Sequence, residues 1–340
     1  MGLRNLTYGI DVVEAIASDV PRPVVVVTME EPWAIVSPRF GRKPEYIVQV
    51  KHMEEQAVVA LERSIPLTVK AVLGVGGGAV MDMAKYIHWK RGIPLHLMPT
   101  IASVDAAVTP TIAVRKAGRV RYVGEADPVL VGVDFPVIQS APVHLNRAGV
   151  GDILSIHTAL WDWKLSHKRG IDPYAGDIAA AADGMLDRMV QHSGDLRDVT
   201  ETGIRLLFDL YNEINYICEQ WGNSRPEEGS EHFFTYNLED RTGRSFIHGE
   251  IVCLGVYVLS YLQGNDPQWV HAFINDTGVR YRLHELGVSV EDFRETLLTL
   301  QEYVERENLF YSVINGTQFD KGVVDSILAD LDVAHPANEK

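Results

Sequence analysis

From its N-terminus the chain alternates short, wholly apolar runs with longer stretches in which apolar residues recur at helical spacing. Val24 to Val27 is a β-branched run behind Pro21 and Pro23, Tyr46 to Val50 (YIVQV) is a second, Ala71 to Val75 (AVLGV) a third and Leu95 to Met98 (LHLM) a fourth. Glu54 to Arg63 lies between the second and third runs, and Val80 to Lys90 between the third and fourth, both with helical periodicity. Continuous apolar strands separated by helices predict a parallel sheet covered on both faces. The stretch Thr111 to Val123 breaks this rhythm. TIAV, RKAG and RVRYV in succession predict a hairpin turning near Ala117-Gly118. Val129 to Val133 (VLVGV) predicts one more strand of the main sheet.

After Pro142 helical periodicity takes over and strand-like runs become scarce. In His248 to Gln263, residues Ile251, Leu254, Val258, Leu259 and Leu262 follow the spacing of one buried stripe. The expected organisation is an α/β domain over 1–145 followed by an all-helical domain over 146–340. The final AHPANEK is expected to fray. There is no internal repeat and no low-complexity segment.

Composition narrows the function without naming it. The 340 residues allow two domains, and 46% apolar with 23% charged residues is globular usage. The formal charge of −15 comes from 31 basic against 46 acidic side chains. Such a chain repels phosphate backbones, so no nucleic-acid partner is expected. No run approaches the ~20 apolar residues of a membrane span. Cys218 and Cys253 are too few for a disulfide framework or a cysteine zinc site. The first residues carry acids where a signal peptide is apolar, and Leu6 spoils the myristoylation pattern, so a cytoplasmic protein is expected.

Two groups of residues suggest chemistry. Gly74-Val75-Gly76-Gly77-Gly78-Ala79 follows a strand and opens a helix. Glycines let a backbone approach a ligand closely, and the free N–H groups of a helix start attract an anion such as a pyrophosphate. In the ordinary dinucleotide fold such glycines follow the first strand, whereas here they follow the third predicted one. A tight turn without a ligand is the alternative.

The second group is Asp152 in AGVGDILS, His232 in EEGSEHFFTYNLE and His248 in SFIHGEIVCLG. One carboxylate and two neutral imidazoles suit a divalent ion with positions left open for substrate. The helix start at His248 favours its neutral form. Against this, Asp152 could simply cap its helix, and lone histidines are mostly structural. His157, His167, His192 and His271 are assigned to structural or surface roles.

Taken in order, GVGGGAVMDMAK, PTIASVDAAVTP, AGVGDILS, GSEHFF and HGEIV resemble the family of glycerol dehydrogenase and sn-glycerol-1-phosphate dehydrogenase. Iron-containing alcohol dehydrogenases and dehydroquinate synthase are more distant members of the group. The resemblance covers residues 74–252. It implies a dehydroquinate synthase-like fold, with an N-terminal nucleotide-binding α/β domain, an all-α C-terminal domain and a cleft between them. It places the cofactor pyrophosphate on Gly76, Gly77 and Gly78, and further cofactor contacts at Asp82, Thr100, Ser103 and Thr109. It puts Asp105 near the substrate hydroxyls, as a holder of a second hydroxyl or a proton relay. Asp152, His232 and His248 become the metal ligands, for zinc first, with iron or nickel as alternatives.

The implied activity is NAD- or NADP-linked oxidation of a polyol or polyol phosphate, with dihydroxyacetone phosphate reduction as the leading expectation. Glycerol dehydrogenase is the first alternative, and a cyclase that uses NAD transiently is the second. AGVGDILS, DWKL and GSEH lean towards the phosphate branch, PTIASVDA towards glycerol dehydrogenase. Tyr236 and Thr111 stand where the phosphate branch usually has histidine and arginine. Arg115, Lys116, Arg119 and Arg121 in the predicted hairpin are read as a solvated face, with service to a substrate phosphate as the alternative. Met29 stands where the first strand usually ends in an acid, and the adjacent Glu30 and Glu31 lean towards NAD. A homo-oligomer is expected.

Overall fold

The computed structural model describes residues 2–116 and 119–334. The turn expected at Ala117-Gly118 and the tail beyond Ala334 lie outside the described residues. Among the described residues there are eight strands: β1 (Leu6–Gly9), β2 (Val24–Thr28), β3 (Tyr46–Gln49), β4 (Ala71–Gly76), β5 (Leu95–Pro99), β6 (Thr111–Lys116), β7 (Arg119–Glu125) and β8 (Leu130–Asp134). Among the described residues no strand follows β8.

The main sheet has the order β1-β8-β5-β4-β2-β3, and every neighbouring pair is parallel. Its inner strands are the runs that carry no polar interruption. All residues of β2, β4 and β5 are buried, as befits strands covered on both faces. Helix Val12–Asp19 lays Val12, Val13, Ile16 and Ala17 into a core shared with Val24, Val26, Leu73, Val75 and Met98. Each valine, isoleucine, leucine or methionine among them contributes roughly 1.5–3 kcal/mol on burial. The predicted hairpin is the antiparallel pair β6-β7, a separate two-stranded sheet. Lys85, fully buried on helix Gly78–Arg91, donates to the carbonyls of Thr109 and Thr111 and so fastens the start of this hairpin.

One strand escaped the apolar pattern. β1 is four residues long at a sheet edge, and Thr7 is exposed between half-buried neighbours. With β1 counted, the glycine loop follows the fourth strand in chain order and not the third. Strand order gives that position its meaning. From β2 the chain crosses to β3 on one side, then returns to β4 on the other side of β2. The connections reverse between β2 and β4, which is where open α/β sheets bind ligands at the carboxyl ends of their strands.

The chain divides into two compact units. One comprises everything up to Asn146 together with Val199–Tyr216; the other comprises Arg147–Asp198 and the chain from Ile217 onward. The helical insertion into the first unit, part of helix Glu201–Trp221, is fastened by polar contacts that no periodicity announces. The Asn212 side chain accepts from the Arg4 N–H and donates to the Arg4 carbonyl, Tyr211 Oη donates to the Ala102 carbonyl, and Tyr8 Oη donates to Asp209.

In the second unit helix His248–Gln263 spans the predicted limits. It departs from the expected single stripe: every residue from Gly249 to Ser260 is buried, while Leu262 is half-buried. Between Glu250 and Gln263 it carries no charged residue, so it has no face for water and forms the centre of its unit. No helix of the described residues is long and apolar enough to cross a membrane.

Candidate metal centre and nucleotide loop

Three helices of the second unit converge on Asp152, His232 and His248. Asp152 lies inside helix Val150–Leu154, His232 in the first turn of helix Ser230–Thr242, and His248 opens helix His248–Gln263. Ligand atoms from all three lie within 4.8 Å of one another. His248 Nε2 is 3.5 Å from Asp152 Oδ1, and the two imidazole centroids are 5.3 Å apart. Asp152 and His232 are buried, whereas about a third of the His248 side chain, 34%, is accessible.

Glycines allow this convergence. A Cβ on Gly249 would collide with the Ala148 carbonyl, and one on Gly151 with the Gly249 backbone. A Cβ on Gly255 would lie 2.7 Å from the Glu231 carbonyl oxygen. The glycines of AGVGD and HGE therefore permit backbone-to-backbone contact between the helices that carry Asp152 and His248. Gly255 does the same for the helix that carries His232.

The donor set fits a divalent cation. His232 Nδ1 is 2.9 Å from Glu231 Oε1, which leaves Nε2 as its ligating nitrogen. Burial works to lower the His232 pKa, but the Glu231 hydrogen bond and the charges of Glu228, Glu231 and Asp152 outweigh it and raise it to about 9. Burial first, then the neighbouring His232, holds His248 well below the usual histidine range and so in its neutral, ligating form. An enclosure with several carboxylates and one neutral imidazole calls for a positive charge. A divalent ion supplies it with the oxygen and nitrogen ligation that zinc or iron accepts.

Behind the ligands is a polar layer that motif reading passed over. Glu231 is fully buried and accepts from the Gly229 N–H at 2.6 Å and from Thr158 Oγ1 at 2.7 Å. Asp162 is also fully buried and accepts from the Ser230 and Val313 N–H groups. Burial, with a smaller push from Glu231, raises its carboxyl to about 6. Both acids stand in quoted segments, GSEH and DWKL. An acid directly before a candidate ligand histidine is the signal that could have found Glu231. Tyr236 Oη is 3.1 Å from Glu228 Oε1, and its ring is 6.0 Å from that of His232.

In the first unit the glycine loop sits at the carboxyl end of β4. Gly77 is the N-cap of the 14-residue helix Gly78–Arg91 and supplies no side-chain cap, and Gly77 to Ala79 are half-buried. None of Gly74, Gly76, Gly77 or Gly78 has a positive φ. Packing dictates these glycines: a Cβ on Gly76 would lie 2.7 Å from Val80 Cγ2, and one on Gly77 2.8 Å from Ile101 Cδ1. Thr100 donates its N–H to the Gly76 carbonyl at 3.0 Å, so the loop after β5, with the buried Thr100 and Ser103, lies against the glycine turn. An uncapped helix start at the switch point fits a pyrophosphate.

The other expected residues have visible partners. The Asp82 carboxylate is 2.8 Å from Lys85 Nζ. Burial pushes the Asp82 carboxyl up, and the Lys85 ammonium opposes that push. Asp105 Oδ2 accepts from Asn215 Nδ2 at 2.7 Å, and Thr109 Oγ1 is 3.1 Å from Thr111 Oγ1. Glu30 and Glu31 follow β2 and are exposed. The four histidines set aside as structural all have local partners: His157 the Asn265 carbonyl, His167 the Asp172 carbonyl, His192 Asp195 and His271 Tyr281 Oη.

Comparison with known proteins places this geometry. The iron-containing alcohol dehydrogenase family matches residues 35–142. A glycerol-1-phosphate dehydrogenase (NAD(P)+) of Hyperthermus butylicus is 29% identical over 275 residues, 79% of this chain and 78% of that protein. Proteins of the same name from Pyrococcus abyssi and Pyrobaculum neutrophilum are 30% and 33% identical; the first covers 74% of this chain and 73% of its own, the second 67% and 68%. Among solved structures, a probable glycerol dehydrogenase of Sinorhizobium meliloti superposes with a TM-score of 0.75 at 18% identity, covering 98% of both chains. Glycerol dehydrogenase of Schizosaccharomyces pombe gives 0.71 at 20% identity, covering 97% of this chain and 89% of its own. The structural matches show a shared fold, and the sequence matches go further: the chain belongs to the glycerol-1-phosphate dehydrogenase family, within the iron-containing alcohol dehydrogenases, and is an oxidoreductase of the NAD(P)-dependent alcohol dehydrogenase class.

Proposed function

We propose that this protein is a metal-dependent sn-glycerol-1-phosphate dehydrogenase that reduces dihydroxyacetone phosphate with NADH or NADPH. One observation carries the reading. A carboxylate and two imidazoles gather within 4.8 Å in a chain about a third identical to proteins of that name.

Asp152, His232 and His248 would hold the metal, which supplies Lewis acidity to a carbonyl or alcohol oxygen of the substrate. The accessible edge of His248 is the side on which substrate reaches the centre. The helix start at Gly76, Gly77 and Gly78 binds the cofactor pyrophosphate, with Thr100, Ser103 and Thr109 as further cofactor contacts. Asp82 serves this loop at one remove, through Lys85. Asp105, oriented by Asn215, holds a second substrate hydroxyl or moves a proton by way of water. The exposed Glu30 and Glu31 after β2 favour NAD over NADP, because an acid there pairs with a free ribose 2′-hydroxyl.

A second reading, oxidation of unphosphorylated glycerol, is favoured by the flank of the metal centre. Tyr236 and Glu228 meet beside His232, and an acidic edge suits a neutral polyol better than a phosphate.

Nicotinamide absorbance decides between them. The zinc- or iron-loaded protein is assayed with dihydroxyacetone phosphate, glycerol 1-phosphate, dihydroxyacetone and glycerol, each with NAD(H) and NADP(H), with and without chelator. Turnover of the phosphates alone, abolished by chelator, is expected. Preference for dihydroxyacetone and glycerol establishes the second reading. No net redox with any of them removes both.

A further inference from the structure

We propose that Glu231 is the positioning residue of the metal centre, fixing the tautomer and orientation of His232 and raising its strength as a ligand. This rests on the reading of Asp152, His232 and His248 as a metal site.

The Glu231 carboxylate is fully buried and has three close polar neighbours among the described residues. The Gly229 N–H reaches Oε1 at 2.6 Å, Thr158 Oγ1 reaches Oε2 at 2.7 Å, and His232 Nδ1 lies 2.9 Å from Oε1. The first two donors fix the carboxylate before the imidazole is considered. The Gly229 bond is a contact between an acid in the first turn and the N-cap amide of helix Ser230–Thr242, favoured at a helix start. Thr158 belongs to helix Ile156–Lys168, so a second helix holds the same carboxylate.

A carboxylate has no proton to give, so His232 must donate from Nδ1, and Nε2 is the nitrogen that gives up its proton to a metal. The ring is thus set by an acid that touches neither substrate nor cofactor. Backbone packing holds the acid in turn. Gly229 has room for no side chain: a Cβ there would lie 2.8 Å from Ala159 Cα and 3.0 Å from Glu231 Oε2. Gly255 likewise lets the central helix reach the Glu231 backbone. Outer carboxylates of this kind characteristically contribute 10–100-fold in metal affinity.

The test measures metal affinity on the full chain. Apo protein is titrated with Zn²⁺ in competition with a chromophoric chelator, for the native chain, E231Q and T158V. Cobalt-loaded samples give visible spectra, and nitrogen NMR of labelled imidazoles gives the tautomer. The expected result is a Zn²⁺ dissociation constant raised ~10–100-fold in E231Q and less in T158V. The cobalt spectrum of E231Q is expected to change, and His232 of the zinc-loaded native chain to carry its proton on Nδ1 with Nε2 on the metal. If E231Q does not fold, T158V and the native tautomer still decide.

Native Zn²⁺ affinity retained by a folded E231Q, or a zinc-loaded native His232 that keeps its proton on Nε2 and binds through Nδ1, overturns this inference and leaves the metal site standing. No Zn²⁺ binding by the native chain overturns the site itself.

Discussion

At the residue scale, a side chain's type announced its chemistry, but only its partners fix its use. Asp82 illustrates the difference. Its place on the helix after the glycine loop matches a family cofactor residue, yet its carboxylate is 2.8 Å from the fully buried Lys85 ammonium. Lys85 also reaches the Thr109 and Thr111 carbonyls, so the pair joins the nucleotide-loop helix to the hairpin. Removing one partner of a buried pair strands the other, at ~3–5 kcal/mol. Because 13% of the Asp82 side chain is accessible, Asp82→Asn is expected near the lower end, ~3 kcal/mol, in urea unfolding. A loss of cofactor affinity with unchanged stability would instead make Asp82 a direct cofactor ligand. Asp152, His232 and His248 could be singled out as candidates because carboxylate and imidazole are potential metal donors wherever they stand. Glu231 was not singled out, because an acid beside a histidine becomes an orienting group only when it bonds to that ring.

At the element scale, glycine positions link motif to geometry. Gly151 and Gly249 stand in segments that sequence alone marks as ligand-bearing, and the structure shows that each admits a crossing backbone. Gly249→Ala drives a methyl into the Ala148 carbonyl. It is expected to cost ~3 kcal/mol or more and to weaken Zn²⁺ binding, since Asp152 and His248 then separate. Gly255→Ala meets the Glu231 carbonyl oxygen at a longer 2.7 Å and is expected to cost ~1–3 kcal/mol. Chemical denaturation paired with chelator competition reads both effects. Equal metal affinity in all three proteins would break the proposed link between helix approach and ligation. The strands of the main sheet were legible at this scale because unbroken apolar runs admit few other uses. β1 was not, because a four-residue edge strand has little apolar pattern to show. The stripe assigned to His248–Gln263 was too narrow, because periodicity sees spacing and the helix is buried all round.

At the scale of the whole molecule, the fold draws candidate ligands 96 residues apart in sequence, from Asp152 to His248, into one enclosure. Metal binding at the proposed site would therefore be coupled to the folding of the second unit. A ligand that binds only the native state stabilises it by about 2.7 kcal/mol at a hundredfold excess over its dissociation constant. Zn²⁺ is accordingly expected to raise the native chain's melting temperature, a chelator to reverse the rise, and Asp152→Ala to lose most of it. A full Zn²⁺ shift in Asp152→Ala would place the metal elsewhere. This coupling is invisible in the linear pattern, which treats each segment by itself.

By itself the sequence determined the secondary-structure rhythm, the parallel sheet and the residue types able to hold a cation and an anion. These follow from local periodicity and intrinsic chemistry, which need no neighbours. Tertiary structure alone decided that β1 closes one edge, that β2 and β4 flank the reversal where the glycine loop lies, and that Val199–Tyr216 groups with the first unit. It also decided that Glu231 orients His232 and that Lys85 occupies Asp82. Each of these depends on which distant segments meet, and that is set by how the whole chain buries its apolar surface and satisfies its buried polar groups.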